Sequence, residues 1–330
     1  MENYKPPFKI TDDMLMLISQ IAEKVAKVNP IKKSDAKLHL RKNNQIKSIH
    51  SSLKIEANSL SLPQVRDIIK GKYVLGEQRE IQEVKNAYDA YERLSDIDPY
   101  EVEELKKFHE IMTRYILQDC GKFRSGEEGV FSGDKCIFMA PPAKFVQELM
   151  MRLFAWMKEN REKIHPLIMS AVFHYEFVFI HPFSDGNGRM ARLWHTALLS
   201  KWNSIFEYIP LESQIEKFQQ EYYEAIAQSH TDGESTRFIE FMLVQTDGIL
   251  DSVFLEFGEK DAEISERVRK LLKVMKKGIQ YTSTELMERL GLKSKEGFRR
   301  NYIKPAIERG AVCMTNEENP RSRNQKYVKK

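Results

Sequence analysis

The chain has 330 residues and a mass of 38.7 kDa, and 42% of its residues are hydrophobic, which suits a folded protein of two or three domains. Three widely spaced cysteines argue against a disulfide framework or a structural zinc site. The N-terminus lacks the charged and apolar regions of a signal peptide, and no apolar run approaches the ~20 residues of a membrane span. These features predict a cytoplasmic protein that makes no contact with a membrane.

Charge is distributed unevenly along the chain. The overall net charge is +4, but residues 261–330 carry 18 basic and 9 acidic side chains, a net charge of +9. The rest of the chain carries 34 basic and 39 acidic side chains, a net charge of −5. This asymmetry predicts a basic C-terminal module that follows a mildly acidic body, with a boundary near residues 258–262.

The hydrophobic periodicity is helical along most of the chain, which predicts a mainly α fold. Proline and capping signals place the starts of five helices; these starts are Thr11, Gly76, Asp98-Pro99, Pro141-Pro142 and Pro166. The helix that begins at Pro166 is apolar nearly all round up to Ile180, which is typical of a helix at the centre of a core. Two more amphipathic helices are predicted near 213–229 and 236–257.

The stretch between Gly121 and Ala140 departs from the helical pattern. It contains four glycines and short β-prone runs. The pattern predicts an irregular loop that carries a small β-hairpin.

Residues 181–192, HPFSDGNGRMAR, follow the central helix and combine several groups with chemical potential. Pro182 prevents simple continuation of the helix, and a helical pattern resumes at Arg189. The glycine-rich turn therefore leads into a helix N-terminus, where free backbone N–H groups and the helix dipole attract an anion. Gly186 and Gly188 allow close approach of a phosphate.

The side chains around this turn suit a polyphosphate with its cation. Arg189 and Arg192 are three residues apart on one helix face and can clamp phosphates. Asp185 is a hard oxygen ligand that can hold Mg²⁺. His181 titrates near neutrality and can accept the proton of a hydroxyl, and Phe183 is predicted to anchor the loop in the core.

Each of these features has a plainer interpretation when taken alone. A DGNG sequence is usually only a turn, an arginine pair is usually a solvated face, and a histidine before proline is usually a hydrogen-bonded core residue. The conjunction of base, metal ligand, anion site and two arginines within twelve residues favours a functional site.

These residues match the signature HPFx(D/E)GNGRxxR at every specified position, and the chain resembles the Fic family over about residues 45–250. The resemblance implies a helical Fic-type domain that transfers AMP from ATP to a protein hydroxyl. It assigns His181 as general base, Phe183 as packing anchor and Asp185 as Mg²⁺ ligand. Gly186, Asn187 and Gly188 would form the anion hole. Arg189 would contact the phosphates, and Arg192 would pair with the γ-phosphate.

Two further stretches resemble the family. The run from Gly121 to Pro142 resembles the region before the active helix, and its hairpin, near 130–139, would be the flap that docks a target segment. Residues 51–58, SSLKIEAN, resemble the inhibitory motif (S/T)xxxE(G/N), with Ser52 and Glu56 in register. Glu56 would pair with Arg192 and displace the γ-phosphate; its plainer interpretation is an exposed helix carboxylate. Ala57 stands where the motif has Gly or Asn.

The resemblance also implies partners and variants of the reaction. The implied substrates are ATP and a Tyr, Thr or Ser hydroxyl of a target protein or of the chain itself, with Mg²⁺ as cofactor. The intact Gly188 favours transfer of AMP over transfer of the γ-phosphoryl group. Glu56 leaves removal of AMP open as a second reaction, and a homodimer is a further expectation.

The basic C-terminal module resembles a winged helix. Thr282 and Glu285 form a capping box, Gly291 ends the first helix, and a second helix and two short strands follow. Such a module can place its second helix in the major groove of DNA; the candidate contacts are Lys295, Arg299, Arg300, Arg321, Arg323 and Lys326. Winged helices also dock proteins.

Two functions therefore compete on the sequence. One is an AMP-transferring enzyme with an accessory C-terminal module, and the other is a DNA-binding transcriptional regulator whose body senses nucleotide. His181 favours the enzyme, because a sensor has no need of a base. The predicted domains are 1–44 (helical), 45–258 (catalytic, with the inhibitory helix) and 262–330 (winged helix). His174 and His195 lack metal-ligand spacing and are predicted to be core or supporting residues.

Overall fold

The computed structural model describes residues 4–28, 35–132, 135–308, 310–316, 322 and 325–329. Side chains are described over these ranges apart from 27–28, 35–41, 130–132, 135–138 and 254–265. The chain divides into two compact units, Met1–Asp251 and Ser252–Lys330.

Helices make up most of the first unit, which confirms the predicted mainly α fold. Their bounds are α1 Asp12–Val28, α2 Asp35–Ile55, α3 Leu62–Ile69, α4 Gln78–Glu92, α5 Val102–Thr113, α6 Ala143–Asn160, α7 Pro166–Ile180, α8 Asn187–Trp202, α9 Leu211–Lys217, α10 Gln219–Asp232 and α11 Thr236–Val274. Short 3₁₀ turns span Leu94–Asp96 and Ser204–Tyr208. Helix α11 contains the point at which the two units divide.

Helix α5 begins later than the sequence predicts. The Asp98 carboxylate accepts a hydrogen bond from the backbone N–H of Tyr100 (3.1 Å), and the N–H of Glu101 bonds to the carbonyl of Asp98 (3.2 Å). Asp98 and Pro99 thus form a turn ahead of the helix, because the aspartate side chain competes for the backbone donors of a first helical turn.

The predicted hairpin is present as two antiparallel strands. Strand β1 (Gly129–Ser132) pairs with β2 (Lys135–Met139), with Gly129 opposite Met139 and Ser132 opposite Lys135. The register shifts between Val130 and Phe131, as in a β-bulge.

The core of the first unit is centred on α7 and α8, which pack extensively against each other. Most residues of both helices are buried, as expected of helices surrounded by protein. The Trp194 side chain is fully buried, and its indole N–H donates to the carbonyl of Pro99 (3.0 Å). Over the described residues, no helix has both the length and the apolar character needed to cross a bilayer.

The second unit contains short helices and a three-stranded antiparallel sheet. Its elements after α11 are β3 Gln280–Thr282, α12 Ser283–Arg289, α13 Lys295–Phe298, α14 Lys304–Glu308, β4 Val312–Met314 and β5 Lys326–Lys329. The strand order is β3-β5-β4. Residues from the end of α11, the helices and the strands form one core, which includes Leu271, Leu286, Phe298 and Val312.

The helical signals of this unit are present in the structure. Thr282 and Glu285 form the predicted capping box, with the Glu285 N–H donating to the threonine hydroxyl (3.2 Å). Gly291 has a left-handed φ of 67° and follows the end of α12. Between α13 and α14 the backbone forms a π-helical turn at Arg299–Ile303. Pro305 lies two residues after this turn. Because proline lacks an N–H and its ring crowds the preceding turn, it favours such a widened geometry.

Candidate active site

A sharp change of backbone direction forms the base of the candidate site. Helix α7 ends at Ile180, and His181 adopts a left-handed conformation (φ 51°) while its N–H still donates to the carbonyl of Phe177 (2.9 Å). Positive φ is rare for residues other than glycine and often marks a functional position. Gly186 (φ 83°) then precedes the first turn of α8. The predicted helix, turn and second helix are all present.

The imidazole of His181 has a defined tautomer. Its Nδ1 lies 3.3 Å from the carbonyl of Val178, and since a carbonyl only accepts, Nδ1 carries the hydrogen. Nε2 therefore has the free lone pair. Burial lowers the pKa of His181, although the Val178 carbonyl and Glu128 oppose that shift. A neutral imidazole with an available Nε2 suits a proton acceptor near pH 7.

Arg124 holds the chain just after α7. Its Nε donates to the carbonyl of His181 (2.7 Å), and its Nη1 and Nη2 donate to the carbonyls of Gly126 (2.8 Å) and Ile180 (3.3 Å). Its own N–H donates to the carbonyl of Pro182 (2.9 Å). Arg124 is 5% exposed. The role of Arg124 was not predicted from the sequence, in which it is a single arginine within a glycine-rich loop.

The turn is fastened from inside by Phe183 and Asn187. Phe183 is fully buried, and the Asn187 side chain accepts from its N–H (2.9 Å) and donates to its carbonyl (2.7 Å). The imidazole of His109 stacks on the Phe183 ring, and the two ring centroids lie 3.6 Å apart. These contacts bury Phe183 in the core and fix the Asn187 side chain against the turn, and the backbone N–H of Asn187 is the first of α8.

His109 links this turn to the glycine-rich loop. Its Nε2 lies 3.0 Å from the carbonyl of Asp185, and its Nδ1 accepts from the N–H of Gly121 (2.9 Å). Burial lowers the pKa of His109 to about 4, so the ring stays neutral and keeps both bonds at neutral pH. No periodicity in the sequence distinguishes this histidine from its apolar neighbours on α5.

Asp185 and Arg189 form an ion pair at the mouth of the turn. Asp185 Oδ1 lies 3.0 Å from Arg189 Nη2, and its Oδ2 lies 2.8 Å from Nη2 of Arg79 on α4. Arg189 is 3% exposed, and its Nη1 lies 3.5 Å from Glu83. The Nε and Nη1 of Arg189 are buried with no hydrogen-bond partner among the described residues. Unsatisfied buried donors are costly, and a charged acceptor within reach of the guanidinium would lower that cost.

Arg192 is bound by the end of α2. Its Nε donates to the hydroxyl of Ser52 (3.0 Å), and its Nη2 donates to the carbonyl of Ser52 (2.9 Å) and to Glu56 Oε1 (2.7 Å). Arg192 is 2% exposed. Burial disfavours its charge, but Glu56 and the hydroxyls of Tyr222 and Tyr91 outweigh burial and raise the pKa of Arg192. The guanidinium is therefore always charged, and Glu56 is the carboxylate that neutralises it.

The Glu56 carboxylate also lies directly against the first turn of α8. A Cβ placed on Gly188 would overlap Glu56 Oε1 and would lie 3.2 Å from Arg192 Nη1. Only glycine at position 188 leaves room for this carboxylate. A phosphate that approached the same backbone would meet Glu56 first, because both anions need the same donors.

The end of α2 explains why the resembled motif has Gly or Asn after the glutamate. Ala57 has a left-handed φ of 65°, and its N–H donates to the carbonyl of Lys54 (3.0 Å). The N–H of Asn58 donates to the carbonyl of Leu53 (3.1 Å). These two bonds form a Schellman motif, whose left-handed position favours glycine or asparagine. In this chain Ala57 occupies the left-handed position, which its Cβ makes less favourable than it is for glycine.

We predict that Ala57→Gly raises the free energy of unfolding by about 1 kcal/mol, because glycine adopts the left-handed conformation without a Cβ penalty. Denaturant unfolding would measure this. Ala227→Gly is the matched control, since Ala227 is exposed within α10 and its replacement should lower stability by about 1 kcal/mol. A fall in stability of Ala57→Gly would contradict the role of backbone strain at this position.

Four of the six residues predicted to contact DNA are exposed in the second unit. Lys295 lies in α13, Arg299 and Arg300 lie in the π-helical turn, and Lys326 lies in β5; all four are exposed. Arg321 and Arg323 lie outside the described residues. A role in binding DNA stays a prediction for all six residues.

Two family models match the chain. The Fic/DOC family model matches residues 98–199, and the model for the C-terminal domain of "Filamentation induced by cAMP protein Fic-like" matches residues 266–328. The crystal structure of a Fic family protein from Desulfovibrio desulfuricans G20 is 38% identical and superposes with a TM-score of 0.72, over 99% of this chain and 98% of that chain. The protein described here belongs to the Fic family.

Curated relatives and a more distant structure extend the comparison. Protein adenylyltransferase Fic of Nematostella vectensis is 30% identical over 62% of this chain, and protein adenylyltransferase fic-1 of Caenorhabditis elegans is 25% identical over 67%. The chain covers 47% and 46% of these relatives, and so spans about half their length. Residues 134–508 of C. elegans Fic-1 share the fold, with 22% identity and a TM-score of 0.63 over 75% of this chain and 73% of that chain.

Proposed function

We propose that the chain is a protein adenylyltransferase, which transfers AMP from ATP to a Tyr, Thr or Ser hydroxyl of a target protein or of the chain itself. The observation that carries the proposal is the single turn between α7 and α8. This turn combines a neutral His181 having a free Nε2, a helix N-terminus, and an arginine with unsatisfied donors. The relatives from N. vectensis and C. elegans, both named protein adenylyltransferases, support the same activity.

The reaction follows from the roles of these groups. The target hydroxyl attacks the α-phosphorus of ATP, the new bond joins its oxygen to that phosphorus, and the bond to the leaving pyrophosphate breaks. His181 Nε2 takes the hydroxyl proton. The first backbone N–H groups of α8 stabilise negative charge that develops on the phosphates, as do the guanidiniums of Arg189 and Arg192. Arg124, His109 and the side chain of Asn187 keep the turn in place and touch no reacting atom.

Asp185 is the residue that would hold Mg²⁺. A single partly exposed carboxylate beside phosphate-binding groups fits this ion, which usually combines one or two carboxylates with substrate phosphates and water. When bound, Mg²⁺ would neutralise part of the triphosphate charge. Arg79, paired to the same carboxylate, would have to share or release it.

Glu56 inhibits transfer in this proposal. Its carboxylate pairs with Arg192 and lies against Gly188, so it competes with the γ-phosphate for the same donors. An ATP bound without that arginine would have its α-phosphate out of line for attack. A carboxylate at this position can also orient a water molecule, which keeps removal of AMP open as a second reaction.

Labelled nucleotide tests the reaction class directly. The protein is incubated with Mg-ATP that carries the label on either the α- or the γ-phosphate. AMP transfer predicts retention of the α-label alone and a mass increase of one AMP. Retention of the γ-label alone would indicate a kinase reaction. If neither wild type nor Glu56→Gly retains any label, AMP transfer is refuted.

The second unit supports a further proposal, that it is a winged helix which binds DNA. The supporting observation is that Lys295, Arg299 and Arg300 are exposed on the second helical segment, with Lys326 exposed on β5. In this variant the protein is a regulator whose body senses nucleotide. Duplex binding that weakens steeply with salt, and is lost on replacement of these four residues by glutamine, would support it. Binding unaffected by the replacements would refute it.

The remaining expectations concern organisation. We propose the division 1–44, 45–258 and 262–330 for the N-terminal, catalytic and C-terminal domains. A homodimer and a cytoplasmic location stay predictions from the sequence.

A further inference from the structure

Helix α4 presents two charged side chains to the turn between α7 and α8. Arg79 and Glu83 are four residues apart on one face of α4, and Glu83 Oε1 lies 3.5 Å from Arg79 Nε. Arg79 Nη2 lies 2.8 Å from Asp185 Oδ2, and the same Glu83 oxygen lies 3.5 Å from Nη1 of Arg189. Together with the pair between Asp185 and Arg189 (3.0 Å), these contacts close a ring of two arginines and two carboxylates.

The two carboxylates beside Arg189 engage it in different ways. Asp185 accepts a hydrogen bond from Nη2 (3.0 Å), whereas Glu83 faces Nη1, which has no hydrogen-bond partner among the described residues. The side chains of Arg189 and Glu83 are only 4% and 12% exposed, so their attraction is screened less than that of a surface pair. Glu83 can therefore orient the guanidinium and still leave its Nη1 donors available to a phosphate.

Glu83 is itself fixed by a residue that follows α2. The Nδ2 of Asn58 donates to Glu83 Oε2 (2.9 Å) and to the carbonyl of Glu80 (3.3 Å). The Oδ1 of Asn58 accepts from the N–H of Leu60 (3.2 Å), and Asn58 is 6% exposed. Because both ends of its amide are bonded, Asn58 holds the Glu83 carboxylate at a defined place beside Arg189.

We propose that Glu83 is a positioning residue, which holds Arg189 in place for the phosphates of ATP when Asp185 binds Mg²⁺. This inference rests on the proposed function. Of the two carboxylates beside Arg189, Asp185 is the one that would hold the ion, and a cation on that carboxylate weakens its bond to the arginine. Glu83 keeps its partners in that state, because its second oxygen is bound by Asn58. Glu83 acts through Arg189 and touches no reacting atom.

The test measures nucleotide affinity rather than transfer. Titration calorimetry in the Glu56→Gly background uses Mg²⁺ with α,β-methylene-ATP, whose bridging carbon prevents transfer of AMP. We expect Glu83→Gln to weaken binding about fivefold, because Arg189 loses the charge that orients it. Charge alone predicts the opposite direction, since removal of a carboxylate near the phosphates would strengthen binding. The direction of the change thus separates positioning from a general electrostatic effect.

A double-mutant cycle tests whether Glu83 acts through Arg189. If it does, the double variant Glu83→Gln/Arg189→Gln binds the analogue within about twofold of Arg189→Gln alone. Asn58→Asp is a second variant, which retains the acceptor for the Leu60 N–H and removes the donor to Glu83. It should also weaken binding, and only while Arg189 is intact. A general loss of structure would add to the effect of Arg189→Gln.

Glu80→Gln is the matched control in the same background. Glu80 also belongs to α4 and joins it to the segment after α2, because its carboxylate accepts from the hydroxyl of Ser59 (2.9 Å). Arg189 pairs with Glu83 and Asp185 instead. The control should therefore leave the affinity for the analogue within about twofold of the parent.

Two results would overturn the inference. One is unchanged or tighter binding in Glu83→Gln, and the other is a loss that adds to that of Arg189→Gln. If Glu83→Gln does not fold, Asn58→Asp decides by the same cycle. AMP transfer from ATP is measured on the same proteins. If Glu56→Gly binds the analogue but transfers no AMP, the proposed reaction fails while the cycle still decides the role of Glu83; failure of Glu56→Gly to bind it would refute both.

Discussion

The His181→Ala variant is expected to lose AMP transfer by a factor of about 10²–10⁴, the usual contribution of a positioned general base, and still to bind ATP. The reason is that Nε2 of His181 is the free proton acceptor at the turn, while the phosphate-binding groups lie on α8 and do not depend on the imidazole. The measurement is incorporation of α-labelled ATP in the Glu56→Gly background, with nucleotide affinity determined separately.

His165→Ala is the control for this variant. His165 caps the other end of α7, where its side chain accepts from the N–H of Leu167 (3.2 Å). Its loss should cost about 1 kcal/mol of stability and leave transfer largely intact. Incorporation by His181→Ala at the parent rate would remove His181 from the mechanism.

The pH profile provides a second readout for His181. Since burial lowers the pKa of His181 below its usual 6.5, the neutral base persists to more acidic pH than a free imidazole. The transfer rate should therefore stay level through pH 6.5 and decline only as the pH falls through the lowered pKa. An inflection above pH 6.5 would contradict this assignment.

The Glu56→Gly variant is expected to raise self-labelling with AMP by about tenfold or more. Glu56 competes with the γ-phosphate, and each ~1.4 kcal/mol gained in the free energy of productive ATP binding corresponds to a factor of ten. The carboxylate lies against Gly188 and binds Arg192, so its removal frees the donors that the γ-phosphate needs. Quantitative mass spectrometry of the purified protein after incubation with Mg-ATP measures the change.

The same variant should also become more dependent on nucleotide for stability. Arg192 loses its carboxylate, and an unpaired buried charge is destabilising. The melting temperature without nucleotide should fall, and saturating Mg-ATP should recover part of the loss, since a ligand that binds only the folded state stabilises it.

Glu216→Gln is the matched control for Glu56→Gly. Glu216 also pairs with α2, through Lys54 at 2.8 Å, but this pair is only partly buried, and Glu216 does not bind Arg192. Its loss should change neither self-labelling nor the ATP-dependent gain in melting temperature. If Glu216→Gln activates as strongly as Glu56→Gly, loosening of α2 rather than release of Arg192 explains the activation.

Local features of the sequence were sufficient for most secondary structure. Proline at the start of α7, the capping box at Thr282 and the left-handed Gly291 all occur where predicted, because each depends on backbone geometry within a few residues. The predicted start of α5 at Asp98-Pro99 was wrong by several residues, because the Asp98 side chain accepts the N–H of Tyr100 in a turn ahead of the helix.

The amino-acid sequence by itself determined the turn between α7 and α8. Its candidate site residues lie within twelve residues, so the local geometry of one turn and the helix after it brings them together; they are His181, Asp185, Gly188 and Arg192. Only the tertiary structure decided what surrounds that turn. Arg124 and His109 come from distant segments and hold the turn through hydrogen bonds to its backbone. Such contacts leave no periodic signal, since their partners meet only when the helices pack. The burial that lowers the pKa values of His181 and His174 arises in the same step.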